Sequence, residues 1–279
     1  MNHDILMGLV ARRVADKRIL KLIRGFLTAG ALEGGLVGPT EEGTPQGGPL
    51  SPLLSNLMLD GLDKELEKRG HSFVRYADDC NIHVRSQAAG ERVMASMAAF
   101  LEGRLHLRVN QQKSAVAPVG ERQFLGHRLG KGGSLGIAPK SLARAKDRLR
   151  RITQRNRGIS LERMTAEVNA FTTGWVTYFR HAQSQYALRN LDGWLRRKLR
   201  CVRLKQCKRV KTIADFLQGN GVPEWRAWRL ALSGKGWWRM AGSPSAHEAM
   251  PTKWFGTLGL VSLASHHAAL NPVGNRRGT

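Results

Sequence analysis

Two adjacent aspartates, Asp78 and Asp79, stand between two short runs of strand-forming residues. Phe73–Tyr76 leads into the pair and Cys80–Val84 leads out of it, a pattern typical of a β-hairpin with the acids at its turn. Adjacent carboxylates repel each other, and a divalent cation removes that cost. Mg²⁺ prefers oxygen ligands and completes its shell with waters and substrate phosphates. The pair therefore indicates a metal site, although the dipeptide alone is better explained by the turn preference of aspartate.

The segments around this hairpin have the patterns of an α+β domain. A turn rich in Gly and Pro, Gly43–Pro49, precedes an apolar helical pattern that starts at Ser51, with Pro52 at the first helical position. Apolar spacing predicts further helices over residues 5–28 and 88–104, and strands over Leu105–Val109, Ser114–Ala117 and Gln123–Leu129. Antiparallel strands packed by helices make the expected class α+β.

The charge of the chain is strongly basic and unevenly placed. Lys and Arg number 45 against 21 Asp and Glu, which gives +24. Residues 1–130 hold 17 Lys/Arg and 14 Asp/Glu, whereas residues 131–279 hold 28 and 7, together with all seven Trp. We expect a boundary near Gly130–Gly136, followed by basic helices over residues 139–156, 160–181 and 186–206.

This charge favours a polyanionic partner over a surface that is merely basic. Two runs concentrate cations on single helices, which suits phosphate contacts. The run from Trp194 also interleaves cations with apolar anchors, as expected of a helix packed on one side and facing RNA on the other. The candidate RNA-binding residues are Arg144, Lys146, Arg148, Arg150, Arg151, Arg196, Arg197, Lys198, Arg200 and Arg203.

Four motifs in this order resemble those of group II intron reverse transcriptase/maturase proteins. The segment Phe73–Asp79, with its Tyr-Ala-Asp-Asp, resembles the catalytic hairpin of that family. Gly43–Pro52 looks like its nucleotide-pocket element, Asn110–Ser114 like the segment with a lysine near the triphosphate, and Phe124–His127 like the primer-grip turn.

The resemblance implies roles for individual residues. Asp78 and Asp79 would hold Mg²⁺, with Mn²⁺ as the alternative ion, and Lys113 would act on pyrophosphate unless it is an ordinary solvated lysine. The nucleotide and template pocket would be formed by Tyr76, Ala77, Pro45, Gln46 and Gly47. The primer grip would be formed by Leu125 and Gly126.

The basic half resembles the thumb, or maturase-specific domain, of the same family, notably through Gly174–Phe179 and the helix around Trp194. We therefore expect a partial reverse-transcriptase palm over 1–130, a helical RNA-binding domain over 137–220, and a basic, Trp-rich extension over 221–279. The implied partners are group II intron RNA, an RNA template with a DNA primer, and dNTPs. The maturase-like thumb disfavours a retron or defence reverse transcriptase.

The resemblance also implies a further catalytic aspartate on a neighbouring strand, which the family places ahead of the segment matched by Met1–Leu6. Two hypotheses follow: an RNA-directed DNA polymerase with maturase activity, or a catalytically inactive RNA-binding maturase or remnant. We expect this chain alone to extend primers poorly, either because it derives from a degraded copy or because the full protein starts upstream.

Three cysteines without zinc-site spacing predict reduced thiols rather than a disulfide framework. No apolar run approaches the roughly 20 residues of a membrane span, so we expect a cytoplasmic protein without a membrane partner. The sequence does not predict the oligomeric state.

Overall fold

The computed structural model describes residues 2–29, 31–33, 36–38, 43 and 48–271. The chain divides into two compact units, Met1–Phe124 and Leu125–Thr279. The predicted α+β class, with antiparallel strands in front and helices behind, is confirmed.

The first unit contains four helices and five short strands among its described residues. They are α1 His3–Ala11, α2 Lys17–Thr28, β1 Ala31–Glu33, β2 Leu36–Gly38, α3 Ser51–Lys68, β3 Ser72–Tyr76, β4 Asp79–His83, α4 Gln87–Arg104 and β5 Gln123–Phe124. Side-chain caps start three of these helices, because Asn2, Asp16 and Ser86 each accept a hydrogen bond from a backbone N–H of the first turn.

Helix α3 is the core element of this unit. It buries Leu54, Met58, Leu62 and Leu66, which recur every fourth residue and so lie along one face. Leu6 of α1 and Leu27 of α2 are fully buried in the same cluster, and the inward side chains of β3 and β4 pack against it. The unit therefore backs the acidic hairpin with a packed helix.

Four predicted elements differ from the structure. The strand predicted over Gln123–Leu129 is interrupted by a turn at Leu125 and Gly126, which separates β5 from a second short strand, His127–Leu129. The predicted helix over residues 5–28 is two helices, because Asp16 caps a new helix after α1 ends at Ala11. Neither Leu105–Val109 nor Ser114–Ala117 is a strand. Leu105 is buried in the core, His106 has a left-handed φ of 50°, and the N–H of Leu107 donates to the carbonyl of Leu101, so this stretch closes α4.

The second unit is helical apart from one antiparallel pair of strands, in which His127 lies opposite Ile137. Its elements are β6 His127–Leu129, β7 Leu135–Ile137, α5 Pro139–Ile152, α6 Leu161–Tyr178, α7 Gln185–Gln206, α8 Val210–Gly219, α9 Glu224–Ala231, α10 Trp237–Met240, α11 Pro244–Ala249, α12 Thr252–Thr257 and α13 Leu263–Leu270.

Helix α7 forms the centre of this unit and buries leucines along its length, among them Leu188, Leu195 and Leu204. The same cluster of buried side chains extends to Phe255 and Leu263 in the late helices. No helix in the described part of the chain is both long and apolar enough to cross a membrane.

A buried carboxylate joins the last helix to the centre of the second unit. Asp192 of α7 accepts hydrogen bonds from the hydroxyl of Ser262 and from the N–H groups of Leu263 and Ala264, at 2.8 to 3.1 Å. Asp192 thus accepts hydrogen bonds from N–H groups in the first turn of α13, which have no acceptor inside that helix. The late helices are thereby tied to α7.

Candidate active site and nucleic-acid interface

The acidic hairpin has the geometry predicted from its residues. Strands β3 and β4 pair antiparallel with Tyr76 opposite Asp79, so Ala77 and Asp78 form a two-residue loop. Ala77 has a φ of 51°, in the left-handed region that non-glycine residues rarely occupy. Backbone of this kind persists only where its surroundings enforce it, and it occurs often at functional sites.

The two faces of the hairpin differ. Phe73 and Ile82 lie opposite each other and pack against the core, whereas Val74 and Tyr76 are 50% and 64% exposed. Alternation along a strand separates these faces. The outer face therefore presents the exposed ring of Tyr76 beside the acidic turn.

Arg75 ties the turn to helix α3, a contact that the sequence-based reasoning did not foresee. Its Nε and Nη2 donate to the two carboxylate oxygens of Asp63, at 2.7 and 2.5 Å. Its Nη1 donates to the carbonyl of Ala77 at 2.8 Å and to Oδ1 of Asn56 at 3.0 Å. The hydrogen bonds that Arg75 donates to Asp63 raise the pKa of the guanidinium above its ordinary value, so this side chain stays charged.

Asp78 and Asp79 are exposed, and among the described residues neither carboxylate takes part in a hydrogen bond or an ion pair. They differ in this from Asp63, which is held by Arg75, and from Asp60, which pairs with Lys64 at 2.8 Å. Both carboxylates of the turn are therefore free to bind a cation.

The other residues predicted for the catalytic site are Pro45, Gln46, Gly47 and Lys113. Pro45, Gln46 and Gly47 lie outside the described residues. Lys113 is exposed at the end of a turn in which the side chain of Asn110 accepts from its N–H. In the described part of the chain no hydrogen bond or ion pair connects the Lys113 side chain to the hairpin, so its role stays a prediction.

The predicted primer-grip pair, Leu125 and Gly126, forms a tight turn. Both residues have left-handed φ values, 49° and 76°. The hydroxyl of Tyr178 donates to the carbonyl of Leu125 at 2.9 Å, and that of Ser141 donates to the carbonyl of Gly126 at 3.0 Å. Two helices of the second unit thus fix both carbonyls of the turn.

Glycine at position 126 is required by contact as well as by φ. A Cβ there would lie 2.8 Å from the Ser141 hydroxyl and 3.3 Å from the ring of Phe179. That ring also packs 4.8 Å from the ring of His127, between centroids. The turn therefore packs closely against the ring of Phe179.

The predicted cations of α5 divide by their surroundings. Arg144, Arg148 and Arg151 are exposed, lie on one flank of the helix at spacings of four and three, and form no ion pair with a described residue. The opposite flank carries Lys146, which is half-buried, and Arg150, which pairs with Asp147. The first flank is thus an unneutralised row of guanidinium groups.

Four of the predicted cations of α7 are half-buried, and three of them lie over aromatic rings. Arg197 lies 4.2 Å from the ring centroid of Trp238 and donates to its carbonyl, and Lys198 lies 5.9 Å from the ring of Trp194. Burial lowers the pKa of Lys198, and so do the like charges of Arg155 and Arg150. Arg196 and Arg203 are half-buried as well. Such a concentration of positive charge suits an anion.

Arg200 corrects the sequence-based expectation. Its side chain is only 4% exposed, and its Nε and Nη2 donate to the carbonyl of Met250 at 3.0 and 2.8 Å. Burial, together with the charge of Arg196, lowers its pKa to about 10. Because this guanidinium is enclosed and already bonded to a protein carbonyl, its donors are not available to RNA phosphates.

A cleft of about 480 Å³ opens in the second unit. Its walls include the half-buried rings of Phe216 and Trp254, and the guanidinium of Arg203 lies 4.4 Å from the Phe216 ring centroid. Glu162 contributes a carboxylate, whose pKa is lowered by its own backbone N–H and by Ser160. The sequence contained no signal for this cleft, because its residues come from four helices.

Comparison with known proteins agrees with both halves of this picture. Residues 2–129 match the family described as reverse transcriptase (RNA-dependent DNA polymerase), and residues 142–218 match the group II intron, maturase-specific domain. Together the two matches support a group II intron reverse transcriptase/maturase. The resemblance read from the sequence motifs is thereby confirmed.

Individual relatives are similar to this chain over limited stretches. Protein YkfC of Escherichia coli is 34% identical over 164 residues, which cover 46% of this chain and 43% of that protein. The group II intron-encoded protein LtrA of Lactococcus lactis is 47% identical over 64 residues, which cover 23% of this chain and 11% of LtrA. A 91 kDa protein in the cob intron of Schizosaccharomyces pombe is 38% identical over 71 residues, 25% of this chain and 9% of that protein. The chain thus spans less than half the length of these relatives.

Reverse transcriptases as a family use divalent metal ions. The described residues of this chain contain no group of three or more His, Cys, Asp or Glu that could hold a metal. They do offer the two free carboxylates of Asp78 and Asp79. Mg²⁺ is commonly held by one or two carboxylates, with substrate phosphates and waters completing the shell. The donor set at the turn therefore fits a divalent ion.

Proposed function

We propose that this chain acts as a group II intron reverse transcriptase/maturase, an RNA-directed DNA polymerase of the two-metal type that also binds intron RNA to assist splicing and mobility. The observation that carries the proposal is the pair of free carboxylates, Asp78 and Asp79, on a turn fixed to the core by Arg75. Free carboxylates on rigid backbone are what a metal-dependent transfer of nucleotides requires.

Each residue of the hairpin has a part in this proposal. Asp78 and Asp79 hold Mg²⁺, or Mn²⁺ in its place, and the ion supplies charge stabilisation at the attacking and leaving oxygens when it is bound. Tyr76 and Ala77 line the pocket with Pro45, Gln46 and Gly47, and Lys113 acts on the pyrophosphate. Leu125 and Gly126 position the primer backbone. The substrates are dNTPs on an RNA template with a DNA primer.

The helical unit binds the RNA in this proposal. The exposed row Arg144, Arg148 and Arg151 and the half-buried cations of α7 are suited to phosphate contacts, which position a nucleic acid without reading its sequence. The proposed domain division, palm over 1–130, maturase domain over 137–220 and extension over 221–279, follows the same separation of charge. A cytoplasmic location is part of the proposal.

A second function is favoured by the charge distribution alone. A maturase that binds RNA without polymerising needs only the basic helices, and residues 131–279 hold 28 Lys/Arg against 7 Asp/Glu. In this alternative the helical unit performs the function and the acidic turn is inherited rather than used.

One experiment separates the two functions. Mg²⁺-dependent extension of a DNA primer on an RNA template is measured on the same preparation as RNA binding, for the wild type, Asp78→Asn and the control Glu102→Gln. Glu102 is an exposed carboxylate on α4 and is not part of the hairpin. Extension that Asp78→Asn abolishes and Glu102→Gln retains supports the polymerase. RNA binding without extension supports the alternative, and absence of both contradicts both.

A further inference from the structure

The contacts of Arg75 reach in three directions from a nearly enclosed side chain. The Arg75 side chain is 12% exposed and that of Asp63 is 26% exposed. Both nitrogens of the guanidinium edge bind Asp63, while Nη1 holds Asn56 and the carbonyl of Ala77. Bidentate pairs of this kind fix direction as well as distance.

The partners of Arg75 belong to a rigid support. Asp63 and Asn56 are seven residues apart, two turns of α3, and so lie on the same face of that helix. The core-facing side of α3 is held by buried Met58 and Leu62. A guanidinium anchored at two points of such a helix moves little.

The bond from Arg75 to the turn acts on the backbone that carries Asp78. The carbonyl of Ala77 belongs to the peptide unit that also contains the N–H of Asp78, and this unit is planar. Holding its oxygen at 2.8 Å therefore sets the plane from which the Cα of Asp78 extends. It also opposes relaxation of Ala77 from its left-handed conformation, φ 51°.

We infer that Arg75 is a positioning residue for the acidic turn, which it ties to Asp63 and Asn56 and so fixes the backbone that carries the cation-binding carboxylates of Asp78 and Asp79. The inference rests on the proposed metal site, since it explains how that site is held. The arrangement extends the candidate machinery by three residues, none of which need touch the metal or the substrate.

Lysine cannot replace arginine in this role. An ammonium group retains the charge but lacks the planar fork that grips both oxygens of Asp63, and it has no second nitrogen to hold the Ala77 carbonyl at the same time. Arg75→Lys is therefore the sharpest variant, because it conserves charge and removes geometry.

Arg69 supplies a matched control. It also binds a carboxylate of α3, with its Nε donating to Glu65 at 2.7 Å, and its Nη1 donates to the hydroxyl of Ser96. No hydrogen bond of Arg69 reaches the turn. Arg69→Lys thus removes a similar fork in the same unit and leaves the bond between Arg75 and Ala77 intact.

Two measurements on the full chain test the inference. The first is amide hydrogen exchange of the segment Tyr76–Cys80. The second is the affinity for Mn²⁺, read from water proton relaxation at a temperature where every variant is folded, with Asp78→Asn defining the signal that belongs to the turn. We expect Arg75→Lys to speed exchange at the turn by about tenfold or more, which corresponds to about 1.4 kcal/mol of local opening. We expect the Mn²⁺ affinity to fall several-fold, and Arg69→Lys to change neither quantity.

The outcomes separate positioning from structural support. Arg75→Lys could lower the melting temperature while its amide exchange at the turn and its Mn²⁺ affinity equal those of Arg69→Lys. In that case Arg75 only stabilises the fold and the inference is wrong. If the wild type shows no Mn²⁺ signal that depends on Asp78, the proposed metal site fails instead. In that case turn exchange by itself decides whether Arg75 holds the turn.

Discussion

The row of exposed arginines on α5 gives the most quantitative prediction. Arg144, Arg148 and Arg151 form no ion pair with a described residue, so each is free to displace a counterion from RNA. We consider the triple variant in which all three become glutamine. Glutamine retains helix propensity and removes the charge, so a change in RNA affinity would report charge rather than folding.

The expected magnitude follows from counterion release. Each phosphate contact contributes about 0.7 to the slope of log Kobs against log salt for single strands, and about 0.9 for duplexes. Loss of three contacts should reduce the magnitude of the slope by about 2 to 2.7. Between about 50 and about 200 mM salt the wild type should therefore lose about 20- to 40-fold more affinity than the triple variant.

Fluorescence anisotropy with a labelled structured RNA, repeated over that salt range, measures this slope. A matched control removes the same charge from the first unit, where Lys17, Arg18 and Lys21 are exposed on α2. We expect that control to change the slope by less than the amount that one phosphate contact contributes. An α5 variant with an unchanged slope, or a control that changes it equally, would refute the assignment of RNA binding to this helix.

Three further predictions concern stability. Leu195→Ala, at a fully buried position of α7, should lower the unfolding free energy by about 2 to 5 kcal/mol in urea titrations without changing the m value. Gly126→Ala forces a Cβ to 3.3 Å from the Phe179 ring at a left-handed φ, and should lower stability by about 1 to 3 kcal/mol in thermal melts. Arg157→Gln should destabilise the chain at neutral pH but not in acid, because the hydrogen bond from Arg157 lowers the pKa of Glu167 in the folded protein. The stabilisation is therefore fully present above the ordinary pKa of 4.5 and is lost as the pH falls through the lower pKa of the folded state.

Each of these predictions has its own control. Leu232→Ala alters an exposed leucine and should leave stability nearly unchanged. Gly132 has a φ of 68° with open space around it, so Gly132→Ala measures backbone strain without the clash, and an equal loss at both glycines would contradict the contact argument. A destabilisation by Arg157→Gln that persists in acid would mean that Arg157 acts through its bond to the carbonyl of Ile152 rather than through Glu167.

The strands that were predicted wrongly show where local pattern misleads. Leu105 and Leu107 alternate with polar residues as in a strand, yet both pack against the core of the first unit next to α4. Alternation reports which side chains are buried, and a strand also needs a partner for its backbone. At Ala115 the carbonyl accepts instead from the guanidinium of Arg122, at 3.0 Å.

The amino-acid sequence by itself determined the local features of this protein. The position of the acidic turn, the buried faces of the main helices and the separation of charge depend on residues near one another in the chain, where spacing and turn chemistry act directly. The order of the motifs likewise sufficed to identify the family.

Only the tertiary structure decided which side chains support the turn and which cations are free. Arg75 donates hydrogen bonds to Asp63 and Asn56, which lie 12 and 19 residues away in the sequence. Arg200 lies in a basic run but donates to the carbonyl of Met250, 50 residues away. Composition cannot distinguish an arginine that faces solvent from one that is enclosed. The difference arises when packing removes water from one guanidinium and supplies protein oxygens in its place.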